Sequence, residues 1–297
     1  MKSNRFMTVG ALMATVALAG CGGGSGNGST SEPQPDTGAD PDPIDSGTGI
    51  DPSPVVTAVA PLNDTGIDWC ADNGNTYDIG DAAYKTIQCE AVTNAGFPGQ
   101  DGHLGRDVAA RSGELTKKGG GIAGFDFTKI ANNGNDLPAS APLGSLPNDW
   151  ACTRDNVTGL IWEVKVSGPG ELRQKDYTYT WYDPNSPDGE PGVPNSGICE
   201  GNVCDTQGFV EEVNDRGLCG ENDWRMPTWK ELQGIAYLST NFSQPAIDVD
   251  YFPNTPVERF WSATPHARSS SYSWGGDGRR LQDYLRGEAF HVRLVRQ

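Results

Sequence analysis

Histidine, positive charge and long apolar runs are all scarce in this sequence, and each shortage closes off a class of function. The three histidines, His103, His266 and His291, have neither the paired spacing of a metal site nor an elbow motif around a serine. No hydrolase triad is visible. Lys and Arg number 22 against 39 Asp and Glu, a formal charge of -17; phosphate neutralisation needs a basic surface, so bulk attachment to nucleic acid is excluded. After residue 20 no stretch approaches the roughly 20 apolar residues of a membrane-spanning helix. The triplet Gly119-Gly120-Gly121 has no Lys-Ser or Lys-Thr after it and reads as a turn, not a phosphate cradle. None of Cys152, Cys199, Cys204 and Cys219 stands in a C-x2-C knuckle, and the N-terminal export signal places them in an oxidising compartment, which disfavours a zinc site built from them. Neither a metal nor a cofactor is expected.

What is present begins with an export signal. Lys2 and Arg5 precede a largely apolar run from Phe6 to Gly20 that is too short to anchor. It ends in Leu18-Ala19-Gly20-Cys21, which looks like a bacterial lipobox and makes Cys21 the expected acylation site, with residues 1–20 as the signal peptide. Several acyl chains hold a protein on a membrane where one does so only marginally. Gly22 follows and no aspartate stands there, so the expected address is the outer membrane, on its periplasmic face or the cell surface. Residues 21–60 are Gly, Ser, Pro and Asp with six acids between Gly22 and Ala60 and no base, a segment that cannot offset the cost of ordering and reads as a disordered tether. Six further cysteines in an exported chain point to three disulfides. Short loops favour Cys70 with Cys89 and Cys199 with Cys204, which leaves Cys152 with Cys219.

Residues 61–150 are glycine-rich without a long helical period, and predict loop-rich, mainly β structure. From residue 151 to 297 the signals sharpen. A strand is expected over Gly159–Val166, and Asp205 or Thr206 caps a helix that presents Phe209, Val210 and Val213 and leaves through Gly217. Thr228-Trp229-Lys230-Glu231 is a capping box for a second helix whose buried face is Leu232, Ile235, Ala236 and Leu238. Short strands follow at Arg259–Thr264, Tyr272–Trp274 and Ala289–Val295. Two helices followed by several strands read as α+β.

Ordered motifs in this half carry a resemblance. They are Asp155-Asn156-Val157-Thr158-Gly159-Leu160-Ile161-Trp162, Asn222-Asp223-Trp224-Arg225-Met226-Pro227-Thr228, Pro245-Ala246-Ile247-Asp248, Tyr251-Phe252-Pro253-Asn254-Thr255, Phe260-Trp261-Ser262-Ala263-Thr264 and His291-Val292-Arg293-Leu294-Val295-Arg296. Together they resemble the Lcl C-terminal domain family of bacterial surface proteins. The resemblance implies a C-type-lectin-like fold with a twisted, mainly antiparallel sheet, and binding of sulfated glycans. The resemblance also implies a trimer, but no collagen-like Gly-X-Y array accompanies it here, so oligomerisation does not carry over and the oligomeric state stays open.

The expected ligand surface follows from charge. Between Glu258 and Gln297 seven arginines face four acids, and guanidinium forks suit sulfate and carboxylate. Arg279, Arg280 and Arg286 beside Trp274 and Tyr284 are the candidate site for an anionic glycan; pairing of these arginines with acidic residues elsewhere is the competing expectation. Asp183, Asn185, Asp188 and Glu190 share one loop that could gather around calcium, although a solvated acidic loop is the plainer reading. Binding or adhesion without catalysis is the leading expectation, with a structural envelope role and a carbohydrate-active enzyme with paired carboxylates as alternatives.

Overall fold

The computed structural model describes residues 63–67, 70, 99–201 and 203–297. Cys21, the tether and Cys89 lie outside the described residues. Among the described residues no helix is long and apolar enough to cross a membrane.

The fold is α+β and its sheets are antiparallel. Strands β1 (Phe127–Ala131), β2 (Asp136–Leu137), β3 (Trp150–Asp155), β4 (Ile161–Glu163) and β10 (Val295–Arg296) form a five-stranded sheet in the order β10-β4-β3-β1-β2. Strands β5 (Tyr179–Thr180) and β9 (Ala289–Phe290) pair, and β6 (Phe260–Pro265), β7 (Tyr272–Gly276) and β8 (Leu281–Leu285) make a three-stranded meander. The expected boundary at residue 150 falls inside β3, and strands from both sides of it share the large sheet. A helix that the glycine-rich composition concealed, α1 (Gly105–Arg111), precedes it.

Local chemistry sets the turns. The Asp155 carboxylate accepts the Val157 N–H at 2.9 Å and the Thr158 hydroxyl at 2.6 Å, and Gly159 at φ +81° closes the β3–β4 hairpin, where a side chain would be strained. In α2 (Thr206–Arg216) the Asp205 carboxylate caps the Gly208 N–H at 2.8 Å, and Gly217 exits at φ +68°. In α3 (Trp229–Gly234) both arms of the Thr228–Glu231 capping box are made. This helix is shorter than its sequence pattern. It stops at Gly234 because the next amides are claimed elsewhere: Tyr237 N–H bonds Ala246 O and Leu238 N–H bonds Thr65 O.

Two aromatic clusters form the core. Trp181, Trp224, Trp261, Phe209 and Phe290 anchor one, while Phe125, Phe127, Trp162, Phe252 and Val295 anchor the other. Trp181, Trp224 and Trp261 each donate their indole N–H to a backbone carbonyl at 2.9 Å, which satisfies the polar end of a buried ring. The expected strand Ala289–Val295 divides into β9 and β10. In the sequence Phe290, Val292 and Leu294 alternate with the polar His291 and Arg293, yet His291 and Arg293 are buried as well. The Arg293 guanidinium donates to Glu163 O at 2.7 Å and to the Thr255 hydroxyl at 2.7 Å, so this face packs against chain instead of solvent. Burial lowers Arg293 to about 10 and Lys165, 3.0 Å from the Glu163 carboxylate, to about 8.

Cys152 is joined to Cys219 and Cys199 to Cys204, as the loop argument expected, and Cys70 is also disulfide-bonded. The short segment 63–67 is stitched to the folded unit. Asn63 donates to Asp155, the Asp64 carboxylate accepts the Asp107 N–H at 2.8 Å, and the Ser239 hydroxyl donates to Gly66 O at 2.5 Å. Gly66 lies so close to the Tyr237 ring that a Cβ would meet it at 2.1 Å.

Candidate functional site

The five residues expected to make an anionic-ligand patch diverge to separate surroundings. Arg286 is the clearest correction: only 2% of it is exposed. Its guanidinium lies 3.9 Å over the Trp181 ring, pairs with the Asp188 carboxylate at 2.5 Å, and bonds the Ser273 hydroxyl at 2.9 Å. Desolvation pushes the Asp188 carboxyl upward, but the Arg286 and Ser186 hydrogen bonds outweigh it and hold Asp188 at about 2. Asp188 therefore serves Arg286, and the described residues contain no cluster of three or more acidic, His or Cys side chains suited to a metal. Tyr284 pairs across the meander with buried Ser273 and packs inward on Phe290 and Trp261. Trp274 stands on the opposite face of β7 from Ser273, its ring tilted against His266 at 5.5 Å. Burial lowers the pKa of Arg279, whose guanidinium is turned onto the loop after α3, where it donates to the Thr240 hydroxyl, to Asn241 O at 2.6 Å and to Gln244 O at 2.7 Å. Arg280 alone of the three arginines is exposed.

The turn that carries Arg279 and Arg280 leads to a different site. Both backbone N–H groups are held by the Asp277 carboxylate, at 3.0 and 2.8 Å, and both guanidinium groups rest near the ring of Phe242, at 5.5 and 5.6 Å. Phe242 is 51% exposed, a large apolar side chain in an otherwise polar loop. Beside it opens a cleft of about 580 Å³ between the 119–125 turn and the 237–251 loop. Tyr237, Asn241, Gln244, Asp248, Asp250 and Tyr251 supply its polar lining.

Each wall is held from behind. Arg279 pins the 240–244 carbonyls on one side. On the other, Lys117 Nζ donates to Gly121 O at 2.7 Å and Ala123 O at 2.6 Å, fixing the turn. The Asp248 carboxylate ties the walls together by accepting the Ile122 N–H at 2.7 Å and the Asp250 N–H at 3.0 Å. Burial still raises the Asp248 pKa, against those two bonds. Tyr237 meets Phe125 edge-on at 6.3 Å and Tyr251 lies tilted on Phe127 at 5.6 Å, so the floor is continuous with the second aromatic cluster. The side chains of Asn241, Gln244 and Asp250, by contrast, make no hydrogen bond among the described residues.

Residues 151–296 match the sequence profile of the Lcl C-terminal domain. This segment is an Lcl C-terminal domain. It is a domain of bacterial surface proteins, and no curated protein matches the chain. Within the Lcl domain most motif residues have structural work. Asp223 pairs with Arg296 at 2.5 Å and Arg225 with Glu231 at 2.6 Å, tying the loop before α3 to β10 and to the capping box. Of Pro245-Ala246-Ile247-Asp248, Pro245, Ile247 and Asp248 line the cleft, with Asp248 as its brace. The opposite wall, Gly121 and Ile122, comes from outside the Lcl domain. Sequence reasoning missed the cleft residues; the available signal was an apolar Phe242 set between polar neighbours from Ser239 to Gln244.

Proposed function

We propose that the protein is lipid-anchored at Cys21 on the bacterial outer membrane and presents its Lcl domain for glycan binding through the cleft beside Phe242. The observation that carries this reading is the cleft itself: an open concavity in which the side chains of Asn241, Gln244 and Asp250 make no hydrogen bond among the described residues, while Asp248 braces the walls. Ligand sites are typically concavities of about 300–1,000 Å³ with a few placed polar groups on an apolar base. The α+β architecture with antiparallel sheets accords with the lectin-like fold that the family resemblance implies. The reading is one of binding without turnover. Asp248 and Asp250 stand in the same cleft, but both Asp248 oxygens already accept backbone N–H groups, which leaves it poorly placed to protonate a leaving group.

A glycan array probed with the full chain purified in detergent tests the reading. Binding to at least one glycan class without release of reducing sugar is the expected result; a blank array, or hydrolysis of a bound glycan, refutes it. For the anchor, Cys21→Ala should move the protein out of the membrane fraction, and retention of the variant after a salt wash argues against acylation at that position.

A further inference from the structure

We infer that the cleft accepts an uncharged, hydroxyl-rich saccharide and not a sulfated one. The inference rests on the glycan-binding reading above and deepens it by naming the ligand class. It is argued from the charge of the cleft, from its unpaired planar groups and from its apolar rim.

Charge decides against an anion. The residues around the cleft include two carboxylates, Asp248 and Asp250, and no Lys, Arg or His. Lys117, on Gly121 O and Ala123 O, and Arg279, on Asn241 O and Gln244 O, hold the backbone of the walls, and neither side chain lines the cleft. Exposed Arg280 lies outside, against Phe242. A sulfate entering here would face like charge in a partly desolvated space, where Coulomb repulsion is stronger than in bulk water. The arrangement that would favour a sulfated chain is thus absent from the lining of this cleft.

The chemistry of the lining favours hydroxyl groups. Asn241 and Gln244 each offer a planar acceptor and two N–H donors, and Asp250 offers two acceptor oxygens. Neighbouring hydroxyls on a sugar ring donate and accept in pairs, which these groups can meet without any ligand charge. Ile122 and Val249 are 42% and 51% exposed at the cleft, and Phe242 is as exposed beside it. Together they offer apolar surface to the C–H face of a ring, an amphipathic match that an aromatic edge provides well. Because Ile122 lies upstream of the Lcl domain, the specificity belongs to this chain's combination of segments and not to the domain by itself.

The experiment is a calorimetric titration of the full chain in detergent against two panels, neutral hexasaccharides (β-glucan, chitin, α-glucan and mannan types) and heparin with dextran sulfate, each at low and moderate salt. Wild type should bind at least one neutral hexasaccharide with an affinity nearly indifferent to salt, since salt screens attraction between charges and this ligand carries none. The Asn241→Ala, Gln244→Ala double variant should lose about tenfold or more. Arg280→Ala should bind the neutral ligand as wild type does. Neutral binding that the double variant leaves intact overturns the placement. Heparin binding that weakens with salt and with Arg280→Ala, in the absence of neutral binding, overturns the ligand class while glycan binding stands. Silence in both panels overturns the glycan reading and this inference with it.

Discussion

Asp107 offers a sharp test of how the segment 63–67 is held. Its carboxyl is 2% exposed and accepts the Gly124 N–H at 2.5 Å, while its own backbone N–H is bonded to the Asp64 carboxylate. Burial, and then the nearby charges of Asp64 and Asp101, raise its pKa to about 6 despite the Gly124 bond. In the unfolded chain it should titrate near 3.9. Between about pH 4 and pH 6 the folded protein therefore keeps a proton that the unfolded chain has released, and linkage makes stability fall as pH rises through that window and level off above it. One pKa unit corresponds to about 1.4 kcal/mol, so a displacement of about two units costs about 3 kcal/mol at neutral pH, reduced to about 2 by solvent screening at this edge of the fold. Asp107→Asn removes the ionisation and keeps an acceptor for Gly124. Urea unfolding across a pH series should show the variant more stable than wild type by about 2 kcal/mol at pH 7.5 and equal to it near pH 4. Parallel stability profiles, or a variant weaker than wild type at neutral pH, would refute the assignment of the strain to this carboxyl pair.

Other perturbations follow from single contacts. Arg286→Ala removes the partner of Asp188 and the cation over Trp181, and should cost about 2–3 kcal/mol, less than a fully buried pair because Asp188 is partly exposed; proteolysis should then nick the 183–192 loop, and a variant as protease-resistant as wild type argues against the clamp. Gly276→Ala would set a Cβ 1.9 Å from the Arg280 carbonyl oxygen, and a loss of about 1–3 kcal/mol should lower the melting temperature by several degrees; an unchanged melt refutes the close approach. Loss of the Cys152–Cys219 bridge by a double Ser substitution reopens a loop with a sequence separation of 67, for which chain entropy gives about 4 kcal/mol. Equal urea midpoints for the variant and wild type count against that account.

What could be read from the sequence was what local chemistry decides. The Asp205 and Thr228 caps act within a few residues, and so does the Asp155 turn, so residue type and spacing alone specify them. The buried arginines could not be read this way. Arg286 meets Asp188 across 98 positions and Arg293 meets Glu163 across 130, and a lone Arg in a polar stretch resembles any solvated cation until its partner is known. The cleft is non-local in the same sense, since the Asp248 brace reaches Ile122 over 126 residues. The split of the last strand escaped notice for a different reason: alternation reports one buried face, and here both faces are covered.

Strand β3 has β4 on one side and β1 on the other, with β1 pairing from Phe127↔Asp155 to Ala131↔Trp150. The Lcl segment begins at residue 151, so a fragment cut there keeps β4 and loses β1. One whole row of β3 amides and carbonyls would then face water as an open template for another chain. The same cut removes Phe125 and Phe127 from beneath Trp162 and Phe252. Expressed by itself, the family segment should come out of solution as self-paired oligomers, and grafts of this domain onto other carriers will need to start upstream of the 119–125 turn to stay monodisperse.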